Sequence, residues 1–373
     1  MHLYLHIPFC ARRCSYCDFA IAVRREVPAR RYADAVLQEW DGVQPDAAWE
    51  ISSSIDTIYF GGGTPSLLDP VELTRILAGI RQRRPVSTEA EITLEANPDD
   101  ITPERATAWR SMGINRVSLG VQSFEPRVLA WMHRTHSADQ TARAVAALRA
   151  AGIENLSLDL IFALPAELTR DWSRDLDLAL ALEPSHLSLY GLTVEAHTPL
   201  ARWVERGDTL TGTDDRYADE FLLADQRLSA AGFEHYEVSN YGRPGHRARH
   251  NSAYWLRAPF LGLGPSAHSG WDRQRRWNLR EWSAWADAIE GNTSVIAGSE
   301  TLDDDALQLE QLYLGLRTTE GVPTGWVPAA DRMAWQSAGW LAPSAADRVV
   351  LSADGWLRLD SLVGHLQLRT AIS

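Results

Sequence analysis

Cysteine occurs three times in this 373-residue chain, and the C-x3-C-x2-C spacing of Cys10, Cys14 and Cys17 is a pattern for binding metal. A disulfide takes cysteines in pairs and needs an oxidising compartment, so this set would leave one over. A structural zinc ion wants four protein ligands, and with no further cysteine the fourth would have to be a distant histidine or a carboxylate. A 4Fe-4S cluster held by three thiolates leaves one iron with an open position for a ligand or substrate. The three thiols are therefore expected to hold iron and sulfur.

The elements that must position them follow from periodicity. β-rich apolar runs near residues 2–7, 55–60, 91–95, 115–121, 156–161 and 186–190 alternate with helix-period stretches over 29–40, 70–81, 103–112, 138–150 and 172–182. This is the pattern of a parallel sheet with crossover helices. Six such units are too few for a closed (β/α)8 barrel and fit a partial (β/α)6 barrel open at one side, an α/β fold.

In such folds chemistry gathers at the C-terminal ends of the strands. The cysteines follow the first strand, Gly61-Gly62-Gly63-Thr64-Pro65 the second, Glu95-Ala96-Asn97-Pro98 the third and Gly120-Val121-Gln122-Ser123 the fourth. On the fifth, Asp159 leads into Phe162-Ala163-Leu164-Pro165. A triple glycine lets backbone approach a ligand and present its N–H groups, although alone it reads equally well as a tight turn. Taken singly, Asp159, Gln122 and Arg134 have ordinary readings as a turn cap, a partner for buried backbone and a surface side chain. At successive strand ends they read as one site.

Composition bounds the partners. The net charge of -13 argues against a nucleic-acid-binding protein. All 36 basic residues are arginine, so a lysine Schiff base, a pyridoxal phosphate site and a Walker-type loop are excluded. Leu3-Tyr4-Leu5 is too short and lacks the basic flank of a signal peptide. With no run of apolar residues long enough to span a membrane, the expected compartment is the cytoplasm. From about residue 233 to 298 the chain turns rich in Tyr, His, Arg, Trp and Gly, expected as loops and short strands covering the open side of a 1–232 barrel. Residues 299–373 are acidic and read as a small helical domain, winged-helix-like, with a β-hairpin turning at Asp354-Gly355.

The run His6-Ile7-Pro8-Phe9-Cys10-Ala11-Arg12-Arg13-Cys14-Ser15-Tyr16-Cys17-Asp18-Phe19 resembles the radical S-adenosylmethionine (SAM) superfamily. Its H-I-P-F-C opening resembles the branch that holds the oxygen-independent coproporphyrinogen III dehydrogenases (HemN) and the HemW-type haem chaperones. The resemblance implies a 4Fe-4S cluster on the three cysteines whose open iron is chelated by SAM. It implies Tyr4 flanking the cluster, Gly62, Gly63 and Thr64 against the methionine, and Glu95 and Asp159 on amine or ribose hydroxyls. Gln122 and Arg134 complete the shell, and Phe19 counts with it. The dehydrogenases carry a further cysteine where Phe19 stands and an extension before the first strand, whereas Met1 stands directly before it here.

Tyr236-Glu237-Val238-Ser239-Asn240-Tyr241 and the stretch Pro244 to Trp255, with its H-N-x-x-Y-W at His250, resemble the HemW-type pattern, as do Leu261 to Ser269 and Arg276-Trp277-Asn278. This implies haem as cargo. A haem site needs an axial donor, flat apolar walls and cations for two propionates, and His250, Tyr254 and Trp255, and Arg247, Arg249, Arg273 or Arg275 are the candidates. Two functions are expected from the resemblance. One is a chaperone that delivers haem to respiratory apoproteins at the membrane, the cluster and SAM gating transfer or supporting a homodimer. The alternative is a radical enzyme that decarboxylates coproporphyrinogen III.

Overall fold

A computed structural model describes residues 1–43, 54–343 and 346–370. Six strands run parallel side by side: β1 (His2–Ile7), β2 (Ile55–Gly62), β3 (Val86–Ala96), β4 (Arg116–Gln122), β5 (Asn155–Phe162) and β6 (His186–Gly191). Each alternates in the same sense. Leu3, Leu5 and Ile7, Ile58 and Phe60, Val117 and Leu119, and Leu156, Leu158 and Leu160 are buried on the helix side. His2, Tyr4 and His6, Thr57 and Tyr59, Glu91 and Glu95, Arg116 and Ser118, and Ser157 and Asp159 take the opposite, inner face. The barrel thus has an apolar outside wrapped by helices and a polar inside.

The helices α1 (Ala29–Gly42), α2 (Pro70–Arg83), α3 (Pro103–Met112), α4 (Pro126–Trp131), α5 (Ala138–Ala150) and α6 (Trp172–Ala181) fill the crossovers. Their starts are written in sequence. Asp69 accepts the N–H of Val71 with Pro70 in the first turn, and Ser137 and Gln140 form a capping box on α5. On α2, Leu73, Ile76, Leu77 and Ile80 recur at helical spacing and are all buried, each worth about 1.5–3 kcal/mol of burial.

The segment after α7 (Pro199–Arg206) and α8 (Asp214–Ala230) extends the same sheet at both edges. Beyond β6 lie the antiparallel β8 (Asn240–Gly242) and β7 (Glu234–Glu237). Beyond β1 lie the parallel β9 (Phe260–Leu263), then antiparallel β10 (His268–Trp271), β11 (Gln274–Asn278) and β12 (Ile296–Thr301). The whole is a 12-stranded sheet. Helix α9 (Arg249–Trp255) lies under the barrel at the N-terminal ends of its strands. The Glu91 carboxylate there accepts the backbone N–H groups of Arg249 at 3.1 Å and His250 at 3.0 Å, an acid placed on a helix N-terminus.

Helix α10 (Trp282–Glu290) packs beside α1. The C-terminal part is helical: α11 (Asp304–Leu316), α12 (Ala329–Ser337), α13 (Ala353–Trp356) and α14 (Leu359–Thr370), with one two-stranded ribbon of Val322–Pro323 and Arg348–Val349. The hairpin expected at Asp354-Gly355 is not there. Ser352 caps α13 by accepting the Gly355 N–H at 3.2 Å, and Trp356 is buried with its indole N–H on the Leu316 carbonyl. The cap and the buried tryptophan outweigh the turn propensity of Asp-Gly.

Candidate iron-sulfur and cofactor site

The C-terminal strand ends open into one cavity of about 600 Å³. Cys10, Cys14, Cys17, Phe19, Gly62, Gly63, Thr64, Glu95, Gln122, Arg134 and Asp159 all line it. The cysteines are unpaired. The Thr64 hydroxyl donates to Cys10 Sγ at 3.4 Å, and Arg134 Nη1 to Cys14 Sγ at 3.8 Å. Burial pushes the Cys10 and Cys17 thiols up to about 11, protons that metal binding displaces.

Among the described residues no group of three ligating side chains converges as a single metal ion needs. A 4Fe-4S cluster takes each thiolate on a different iron. Three thiols lining one cavity, with no fourth cysteine in the chain, fit that donor set better than they fit zinc. Next to them the donors suit a cationic amino-acid-like ligand. Glu95 receives the Tyr59 hydroxyl at 2.7 Å and the Gly62 N–H at 3.0 Å, and Asp159 the Ser118 hydroxyl at 3.0 Å and that of Ser157 at 3.3 Å. Each carboxylate keeps lone pairs for the cavity. Burial pushes Glu95 up to about 7 and raises Asp159.

Arg134 Nη2 holds the Asn97 side-chain oxygen at 2.6 Å and also the Gly120 carbonyl. A Cβ on Gly120 would lie 3.0 Å from Gln122 Nε2 and 3.1 Å from Arg134 Nη2, so the glycine is what lets the two converge. At Gly63 an added Cβ would meet the Pro8 carbonyl and the Phe9 carbonyl oxygen at 2.8 Å. Those are backbone atoms leading into Cys10 and have little room to yield. Gly63→Ala is expected to cost about 1–3 kcal/mol of stability and to lower iron and acid-labile sulfide after anaerobic reconstitution. Wild-type iron content with an unchanged melting midpoint would refute the tight fit.

Two expected site residues lie elsewhere. Tyr4 sits one layer below the cavity, stacked on Tyr59 at 6.1 Å, with its hydroxyl 3.1 Å from His6 Nδ1. It is His6 that reaches the cysteine loop, its Nε2 donating to the Ala20 carbonyl at 2.9 Å. His250 is 1% exposed under the barrel, with Nδ1 2.6 Å from the Thr57 hydroxyl and Nε2 2.8 Å from the Tyr254 hydroxyl. Burial lowers its pKa to about 3, so it stays neutral, and neither nitrogen is open to an iron. The accompanying candidates are also engaged. Arg317 covers the Trp255 ring at 4.4 Å, Arg247 pairs with Glu234, Arg273 with Asp304 and Arg275 with Glu310, while Arg249 holds the Glu89 carbonyl.

Sequence reading missed the residues that hold the acids, Tyr59, Ser118 and Ser157, and assigned no part to His6 and Asn97, which stand in the quoted runs and hold the loop and Arg134. All but Asn97 lie on the inward face of a strand whose tip was already singled out, and that alternation is the signal that finds them.

The family model of the radical SAM superfamily matches residues 4–179. The haem chaperone HemW of Mycobacterium tuberculosis is 39% identical over 379 residues, spanning 98% of this chain and 94% of its own. HemW of Escherichia coli is 38% identical, spanning 72% of this chain and 69% of its own. A mouse protein, radical S-adenosyl methionine domain-containing protein 1, mitochondrial, is 34% identical over 86% of this chain and 74% of its own. In structure, coproporphyrinogen III oxidase (HemN) from Escherichia coli superposes with a TM-score of 0.79 at 20% identity, covering 98% of this chain and 89% of that one. That last likeness establishes the fold. Identity at the level of the mycobacterial protein, carried through nearly all of both chains, makes this chain a member of the HemW family within the radical SAM superfamily.

Proposed function

We propose that this chain binds haem and passes it to haem-requiring apoproteins, carrying a 4Fe-4S cluster on Cys10, Cys14 and Cys17 and SAM in the cavity beside it. The observation that carries the reading is the end-to-end similarity to proteins named as haem chaperones. The donor set supports the cofactors: carboxylates for an ammonium and a sulfonium, a glycine turn for close approach, and Arg134 for a carboxylate. When bound, cluster and SAM together supply one-electron radical chemistry. The chain's own part is to hold them: Thr64 and Arg134 steady two of the sulfurs, and Glu95 and Asp159 offer negative charge. Respiratory recipients, peripheral membrane contact and a homodimer belong to the same reading and rest on family likeness. Among the described residues no helix is long and apolar enough to cross a membrane.

A second reading, oxygen-independent decarboxylation of coproporphyrinogen III, draws support from the completeness of the cofactor cavity. Phe19, in the place where the dehydrogenases carry a further cysteine, counts against it. One reconstituted anaerobic sample decides between the two. Stoichiometric haem uptake with no protoporphyrinogen formed from coproporphyrinogen III is the expected result. Porphyrinogen turnover would establish the enzyme, and absence of haem uptake would sink the chaperone.

A further inference from the structure

If haem binds and His250 is sealed under the barrel, the iron must be met elsewhere. Among the described residues one histidine lines the cofactor cavity, His133. It follows α4 with a left-handed backbone, φ 60°. Histidine adopts that conformation more readily than most residues, at a cost that clusters at functional sites. Its Nδ1 lies 3.4 Å from the Arg13 carbonyl, between two of the cysteines in sequence, and its Nε2 takes no hydrogen bond among the described residues. A backbone carbonyl on one ring nitrogen with the other left free is how proteins present imidazole to a metal.

The surroundings match a flat, apolar, doubly anionic ligand. The His133 ring stands edge-on to Trp203 of α7 at 5.4 Å, and Trp203 lies 5.7 Å from Trp131. Phe19, 57% exposed, lines the same cavity, together with Ile21. Arg12 lines it as well, and both Arg12 and Arg13 are exposed and make no ion pair among the described residues. The polar shell of Glu95, Asp159 and Gly62 to Thr64 belongs to the buried strand ends, whereas these groups belong to the solvent-facing loops.

We propose that His133 Nε2 is the axial ligand of haem iron at the mouth of the cofactor cavity, with Phe19 against the porphyrin and Arg12 and Arg13 toward its propionates. The inference rests on the haem-binding reading above and places cargo directly over the SAM site, so that each ligand changes the affinity for the other.

The test is a haem titration of the full, anaerobically reconstituted chain, read by the Soret band. His133→Asn keeps an amide for the Arg13 carbonyl and tolerates the left-handed backbone. It should weaken haem binding at least ~10-fold and lose the nitrogen-ligated band, whereas His250→Gln keeps that band. In His133→Gly, added imidazole should restore it. Iron and sulfide content reports whether the cysteine loop still assembles; if the Asn variant does not load, the Gly variant with and without imidazole gives the same answer. A wild-type spectrum and affinity in His133→Asn, or loss of the band in His250→Gln instead, would overturn the assignment. Wild-type protein that takes up no haem would overturn the chaperone reading and this inference with it, a result distinct from a variant that equals wild type.

Discussion

Glu95→Gln is expected to weaken SAM binding to the reconstituted protein by about 10- to 100-fold, the loss of one charge-assisted hydrogen bond worth ~1.5–3 kcal/mol. The shape of the side chain is kept, but its single amide oxygen can accept only one of the two donors that Glu95 holds, the Tyr59 hydroxyl on Oε1 and the Gly62 N–H on Oε2. With that acceptor goes the negative charge facing the cavity. The same charge sets a pH dependence. Burial, with Asp159 nearby adding to it, outweighs the donated hydrogen bonds of Tyr59 and Gly62 and holds the carboxyl up to about 7 in the empty protein. Below that pH Glu95 is protonated, and a cationic ligand must first drive the proton off. Affinity should therefore rise as pH increases through about 7 and level off above it, while Glu95→Gln flattens the profile. Equilibrium dialysis between pH 6 and 8.5, roughly the span bracketing the shifted carboxyl, measures this. A wild-type profile without slope, or a Gln variant with unchanged affinity, would remove Glu95 from the cofactor shell.

That Glu95 could be picked out at all follows from where it stands. The six inner strands and their helices are legible because apolar and polar residues alternate along each strand and the helix starts carry caps such as Asp69 and Ser137. A strand tip in a parallel barrel faces the chemistry, so Thr64, Glu95, Gln122 and Asp159 were within reach of sequence reasoning. Depth was not. Alternation says that Tyr4 and His6 share a face, but two residues along a strand are about 6.6 Å apart, enough to put His6 at the cysteine loop and Tyr4 a layer beneath it. Nor does a sequence say which edge of a sheet a later strand will join. Residues 233–298 looked like a cover, and their short strands in fact lengthen the sheet on both sides. The H-N-x-x-Y-W run reads as a haem contact from its resemblance to the HemW-type pattern, and sequence does not show that its histidine lies under the barrel with hydrogen bonds to Thr57 and Tyr254.

The largest loss of stability from a single substitution is expected at Arg170, a residue that no motif contains. Its side chain is fully enclosed, paired through Nη2 with Glu220 at 2.6 Å and more distantly with Asp175 at 3.6 Å, and laid over Trp172 at 4.6 Å. Those two carboxylates reach the cavity loops. Glu220 accepts the Ala163 N–H at 2.7 Å, and Asp175 accepts the Phe124 N–H at 3.0 Å and the Ser123 hydroxyl at 2.7 Å. Gln122 and Ala163, the residues at these two strand ends, both have left-handed backbone, φ 66° and 57°, so something must hold them there. Burial raises the Asp175 carboxyl and lowers the Arg170 guanidinium despite their pairing. The network is therefore poorly compensated even when intact. Arg170→Met fills the space but leaves two enclosed carboxylates with Arg216 as their remaining cation, 2.9 Å from Glu220. Breaking a buried pair in this way costs about 3–5 kcal/mol, a fall of roughly 5 °C in the thermal midpoint at a fixed scan rate. The double variant Arg170→Met, Glu220→Gln should recover part of the loss, because the neutralised partner no longer needs a cation. Below the midpoint the single variant should also bind SAM more weakly, since Gln122 loses its anchor through Ser123 and Phe124. A shift of less than about 1 kcal/mol, or a double variant no better than the single, would mean that packing of Trp172 and Phe162 holds the loops and the ion pairs do not.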